Sequence, residues 1–281
     1  MRAIVVGIDS LVGRALAQAL RERGDTIHGT THRAEMVTAE TSLLDLATGI
    51  GRTDLPAADV AFICAAVTGF AECRADPERA RRVNLEAPAQ LAARWSGRTV
   101  FLSTNAVFDC QEPLMRADRP RKPRNVYGQL KADAEDAVLG CGGTVVRLAK
   151  IFAPGMPLLQ RWYEALSRGE SIEAAEDHRV APILLGHVTA ALMAVADKGE
   201  GGIYQVSAAD DVSYAEIATR IADRLKADRS RVTARAAVEI GIPAADVMPY
   251  TSLDASRIAA LMGQPAPQAS VAIERVLSSL R

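Results

Sequence analysis

The chain reads as an α/β protein, a doubly wound parallel sheet with a smaller, mostly C-terminal α/β lobe, and three observations predict it. Short apolar runs without polar alternation recur over the first 150 residues, as in strands buried on both faces. Helical stretches of roughly ten to fifteen residues separate them, the rhythm of a parallel sheet covered on both sides. The first run ends at Gly7 and leads through Gly13 into a helix, where a phosphate-binding turn would sit.

The elements follow in order. Residues 3–6 form the first strand. The helical pattern over 15–20 stops near Arg23-Gly24, a C-cap signal. Residues 26–30 and 59–64 are the next strands. Residues 77–95 are helical, with Pro88 expected to break or kink them, because proline lacks the N–H and crowds the preceding turn. Strand 99–102, helix 126–139 and strand 144–148 complete a nucleotide-binding core over 1–150. After that Pro154, Gly155 and Pro157 interrupt the rhythm. A helix over 158–168, a strand over 203–207 and a helix over 214–225 belong mostly to a substrate lobe spanning 151–281. That lobe interleaves with the core if the late strand rejoins the first sheet. Pro243, Pro249, Pro265 and Pro267 keep the pieces of the tail short.

With 281 residues, 49% hydrophobic and 24% charged, the chain can bury a core without disulfides or metal. A net charge of −1 gives no electrostatic footprint for nucleic acid or membrane. Cys64, Cys73, Cys110 and Cys141 are scattered, as reduced, mostly buried thiols of a cytoplasmic protein would be. His28, His32, His178 and His187 show no metal-ligand spacing, so no metal is expected. The opening residues do not read as a signal peptide, and no apolar run reaches membrane-spanning length.

The chemistry is concentrated in Tyr127-Gly128-Gln129-Leu130-Lys131. On a helix, i and i+4 share a face, so the Tyr127 phenol and the Lys131 ammonium are expected in one site. A nearby cation lowers a phenol's pKa and lets it trade a proton. Thr104, closing the Ser103-Thr104 pair upstream, can hold the oxygen of a carbonyl or alcohol. At the other end, Gly7 allows a tight turn and Gly13 close packing. Ser10, Leu11 and Val12 open a helix whose free N–H groups and positive dipole end suit a pyrophosphate. Thr31, His32 and Arg33 follow the second strand with no acid there to read a ribose 2′-hydroxyl. Arg33 suits a 2′-phosphate instead, favouring NADP(H) with NAD(H) left open. Asp45 and Leu46 are candidates for the adenine, and Ala65 and Ala66 let a cofactor pass close over the strand ends.

Together with Leu44-Asp45-Leu46, Ala65-Ala66-Val67-Thr68, Asp76-Pro77, Val83-Asn84, Ser103 to Asp109 and Leu253-Asp254, these residues resemble the extended short-chain dehydrogenase/reductase family, within it the dTDP-4-dehydrorhamnose reductase group. The resemblance implies a Rossmann-type fold and reduction of a nucleotide-linked 4-keto-6-deoxy sugar, with Thr104 holding the substrate oxygen and Tyr127 donating the proton. It has Lys131 lower the tyrosine pKa and anchor the nicotinamide ribose. It assigns Thr68, Thr104, Asn105 and Lys150 to the substrate, and pairs two copies through 77–95 and 126–139. The chain departs from the group at Ser10, Val67, Asn105, Ala106, Cys110 and Lys150, mostly around the sugar pocket. An epimerase of the same family would use the same three residues. A dinucleotide-binding regulatory subunit, like that of methionine adenosyltransferase, is the non-catalytic alternative. Trp162 and Tyr163 read as packing; Arg257 reads as a diphosphate contact or a solvated side chain. Glu72 and Arg74 read as loop residues flanking Cys73.

Overall fold

The computed structural model describes residues 1–51, 55–95 and 97–280. Its central sheet holds β1 (Arg2–Val6), β2 (Thr26–Thr31), β3 (Thr41–Leu43), β4 (Val60–Ile63), β5 (Arg98–Thr104), β6 (Thr144–Leu148) and the late strand Gly202–Val206. The strands run late-β6-β5-β4-β1-β2-β3, all parallel. Side chains alternate across the sheet and both faces are buried. Ile4, Val6, Ile63, Phe101 and Val145 pack on one side, Ala3, Val5, Phe62, Val100 and Val146 on the other. Burial of both faces is why these strands carry apolar residues throughout.

The first face is covered by α4 (Ala87–Arg94) and α5 (Val126–Gly140), the second by α1 (Leu11–Glu22), α7 (Leu185–Lys198) and α9 (Ser256–Met262). Helix α1 forms because Val12, Leu16, Ala17 and Leu20 make one buried stripe and Ser10 caps its start, accepting from the Gly13 N–H. It ends at Gly24, whose φ of +92° suits glycine. Helix α7 is not announced by the sequence pattern. It packs on α1 and α9 and against β5, so it is apolar on several faces and lacks a stripe.

Pro88 does not break its helix. α3 (Pro77–Arg81) continues through a π turn, Arg82–Glu86, into α4, with Pro88 near the start of α4. The wider turn absorbs the missing N–H, as one-turn π segments do. Residues 70–75, read as loop, form a short helix, α2 (Phe70–Ala75), whose Cys73 is fully buried.

From β1 the chain winds outward to β2 and β3, then crosses back to β4 on the other side of β1. The loops after β1 and β4 therefore part above their C-terminal ends, where such sheets bind ligands. Gly7 and Ala65 meet at that point: a Cβ on Gly7 would lie 2.7 Å from the Ala65 Cβ. Across the crevice stands a second core of α6 (Pro157–Ser167), α8 (Tyr214–Leu225) and α10 (Ala269–Leu277), with Leu159, Trp162, Ile217, Ile221 and Ile273 at its centre. Trp162 packs edge-on against Tyr214, as its packing role requires. Arg257 is an exposed side chain tied to the backbone. It donates to the carbonyls of Gly201 and Ile203 and lies 4.0 Å from the Tyr204 ring, clamping the start of the late strand.

Candidate active site

A cleft of about 440 Å³ lies between the strand ends and the second core. Tyr127 enters it from the first turn of α5. That turn is fixed by Asn125, which accepts from the Gly128 N–H at 2.9 Å. Gly128 is required there: a Cβ would fall 2.1 Å from the Ala106 carbonyl oxygen, so the helix can approach the turn after β5 only without a side chain. This contact brings Tyr127 to Thr104, whose hydroxyl is near enough to favour the phenolate. Thr104 caps the 3-10 turn Asn105–Val107, accepting from the Ala106 N–H at 3.1 Å. Its own proton is directed to the Asn105 Oδ1 at 3.5 Å, a long contact that a ligand oxygen in the cleft would have to displace.

Burial pushes the Tyr127 phenol up to about 12, against the lowering effect of the Thr104 hydroxyl. Lys131 is not among the groups that shift the phenol here. Its ammonium sits 3.9 Å from the Phe101 ring centre, and its field falls on Glu135 and Cys64 instead. Burial also drives Lys131 down to about 7, which Glu135 only partly offsets. The physical reason is shared: one water-poor wall disfavours both charged forms, phenolate and ammonium.

Behind Lys131 lies a buried ionic network. Ser103, Arg147 and Gln205 stand side by side on β5, β6 and the late strand. Glu135 takes two bonds from Arg147, at 2.9 and 2.7 Å, and one from Ser103 at 2.6 Å. Gln205 donates to the Met115 carbonyl, and Arg147 to that of Ala117, tying the segment before α5 to the sheet. The network thus sets the depth of the helix that carries Tyr127 and Lys131.

A second cavity, about 280 Å³, continues past Ser10 and Ala66, which line both. It gathers Gly7, Thr31, His32, Arg33, Asp45, Leu46 and Ala65. At the junction is the start of α1, where the Leu11 and Val12 N–H groups have no intrahelical acceptor. Two cavities joined at a helix N-terminus fit a dinucleotide, with its pyrophosphate at the joint. Gly13 lines neither cavity. It is glycine because a Cβ would lie 2.2 Å from the Gly7 carbonyl oxygen. Asp45 accepts from the Ala47 N–H with one oxygen. Arg33 turns its Nε to Asp9 at 3.4 Å, and its terminal nitrogens make no hydrogen bond among the described residues.

All 281 residues match the family model described as RmlD substrate binding domain. The chain belongs to that family. It is thereby an oxidoreductase of the extended short-chain dehydrogenase/reductase type, using NAD(P). It is 30% identical to the dTDP-4-dehydrorhamnose reductase of Streptomyces griseus, over 91% of this chain and 86% of that one. It is 26% identical to the probable low-salt glycan biosynthesis reductase Agl14 of Haloferax volcanii, over 95% and 94%. The crystal structure of the dTDP-4-dehydrorhamnose reductase of Bacillus anthracis in complex with NADP superposes with a TM-score of 0.81, at 19% identity, over 99% of this chain and 98% of that one.

Of the family-implied substrate residues, Thr68, Thr104, Asn105 and Lys150 all line the first cleft. The cleft is lined as well by His178, Arg179, Tyr214, Met248 and Thr251, which come from distant segments. His178 stacks on Tyr214 and accepts from the Met248 N–H through Nδ1 at 2.9 Å, which leaves Nε2 as the donor. Asn84 lies buried in the π turn. Its side chain brackets Val67, accepting from the N–H at 2.9 Å and donating to the carbonyl at 2.8 Å, and so holds the loop after β4.

Proposed function

We propose that the chain reduces the 4-keto group of a nucleotide-linked deoxysugar with NADPH. The observation that carries this reading is the Tyr127–Thr104 hydroxyl pair, set where the dinucleotide-shaped crevice opens into the cleft of the second core. The nicotinamide supplies the hydride. Leu11, Val12, Ser10 and Lys131 would hold the dinucleotide on one side, and Arg33, Asp45 and Leu46 its adenosine end. Thr104 donates to the carbonyl oxygen and fixes it beside the phenol. Tyr127 keeps its proton at neutral pH and delivers it to that oxygen as negative charge develops there, an alkoxide being a stronger base than a phenolate. The water-poor wall keeps the proton from being lost to solvent. The names of relatives support the substrate class, which NADPH oxidation against a panel of nucleotide-linked keto-sugars tests. Pairing of two copies through residues 77–95 and 126–139 belongs to the same reading; light scattering from a monomer at micromolar concentration would exclude it.

NADP(H) is favoured over NAD(H) because Arg33 lines the adenosine-side cavity and its pair with Asp9 is made through Nε. Arg33→Ala is expected to weaken NADP(H) about tenfold or more, the loss of one charge-assisted contact worth ~1.5–3 kcal/mol. NAD(H) affinity should barely move. Fluorescence titration with both cofactors checks this, and equal losses for the two would contradict it.

A further inference from the structure

Among the residues that line the substrate side of the cleft there is no aspartate or glutamate, yet Lys150 and Arg179 both face into it. Neither forms an ion pair among the described residues. The acids nearby are committed elsewhere, and Glu216, whose carboxylate feels the Arg179 charge, accepts from the Ser213 N–H at 2.8 Å. Asp177 accepts from the Ala237 N–H at 2.7 Å, and Asp211 from the N–H groups of Thr251 and Ser252 at 2.6 and 3.1 Å. Asp246 pairs with Arg74 at 2.7 Å. Lys150 is open to the solvent of the cleft although protein surrounds it on most sides, and that crowding lowers its ammonium pKa with no carboxylate to offset it. With no carboxylate acting on it, the exposed Lys150 ammonium keeps its charge available to a ligand that brings an anionic group.

Position says which part of a ligand meets it. Leu148 is the register partner of Thr104. Lys150 therefore begins one strand across and roughly 7 Å along from the residue that holds the reacting oxygen. Its flexible stem spans the length of a sugar ring from there. We infer that Lys150 is a specificity-determining residue that binds an anionic oxygen group of the substrate, the diphosphate or a carboxylate on the sugar, with Arg179 as the second cation of the same wall. The inference rests on the proposed nucleotide-sugar reading and adds what the substrate side selects.

Calorimetry on wild type, K150M and K150R separates the two sources. UDP and dTDP probe the diphosphate; UDP-glucuronate against UDP-glucose probes a ring carboxylate. If Lys150 holds the diphosphate, K150M should lose about tenfold or more on all four ligands. If it holds a carboxylate, the loss should fall on UDP-glucuronate alone. In either case K150R should recover most of the affinity, which a folding defect would not allow. Binding by K150M within about twofold of wild type for every ligand overturns the inference, as does a wild type that binds none of them. Turnover of a keto-sugar nucleotide is read on the same preparations. Unchanged affinity and turnover in K150M defeat the inference and leave the reductase reading standing. Lys150-dependent binding without any keto-sugar reduction does the reverse.

Discussion

Tyr127→Phe is expected to lower keto-sugar turnover by about 10²–10⁴-fold or more, the scale of a lost general acid, while dinucleotide affinity stays near wild type. The ring is 8% exposed and packs against Phe70 at 5.6 Å, so phenylalanine keeps the wall intact and only the hydroxyl goes. Thr104 then loses the neighbouring hydroxyl but keeps its cap on Ala106. Steady-state kinetics with NADPH binding measured in parallel checks this. Near-normal turnover in the Phe variant would remove Tyr127 as the acid and leave the fold assignment untouched.

Arg147→Met is expected to destabilise the fold by about 3–5 kcal/mol, because it strands the carboxylate of Glu135 in a fully buried position. Arg121, at 3.4 Å, and Ser103 cannot replace two short guanidinium bonds. Adding Glu135→Gln should restore most of the loss, since the unpaired charge, rather than the absent pair, is what costs energy. Urea unfolding of the two single variants and the double variant gives the coupling. A single Arg147→Met variant within about 1 kcal/mol of wild type would mean that the network does not set the depth of α5.

Much of this was legible because the informative residues are local. A doubly buried strand announces itself in a few apolar residues, and Tyr127 to Lys131 is one helical turn. The glycines could be read too, since Gly7, Gly13 and Gly128 each answer to a backbone approach. What stayed hidden depends on distance or on apolar surroundings. Helix α7 is enclosed on several sides, so its sequence lacks a stripe. The π turn before Pro88 is one solution among several to a missing N–H, and local sequence does not choose. Lys131 lies against Phe101 and feels the charge of Glu135, because three strands and a helix decide what surrounds it. Lys150, His178 and Arg179 become one wall only when the second core folds against the strand ends.

Transfer of deuterium from NADPH labelled at nicotinamide C4 to a nucleotide-linked 4-keto sugar tests the account most directly. It predicts one deuterium at the new carbinol carbon for each NADPH oxidised, read by mass spectrometry and NMR, with the signal collapsing in Tyr127→Phe. Sugar isomerisation without net NADPH oxidation would instead identify an epimerase. A chain that binds NADPH but labels no keto-sugar, and is recovered in a stable complex with another enzyme, would contradict the reductase account and favour a regulatory subunit.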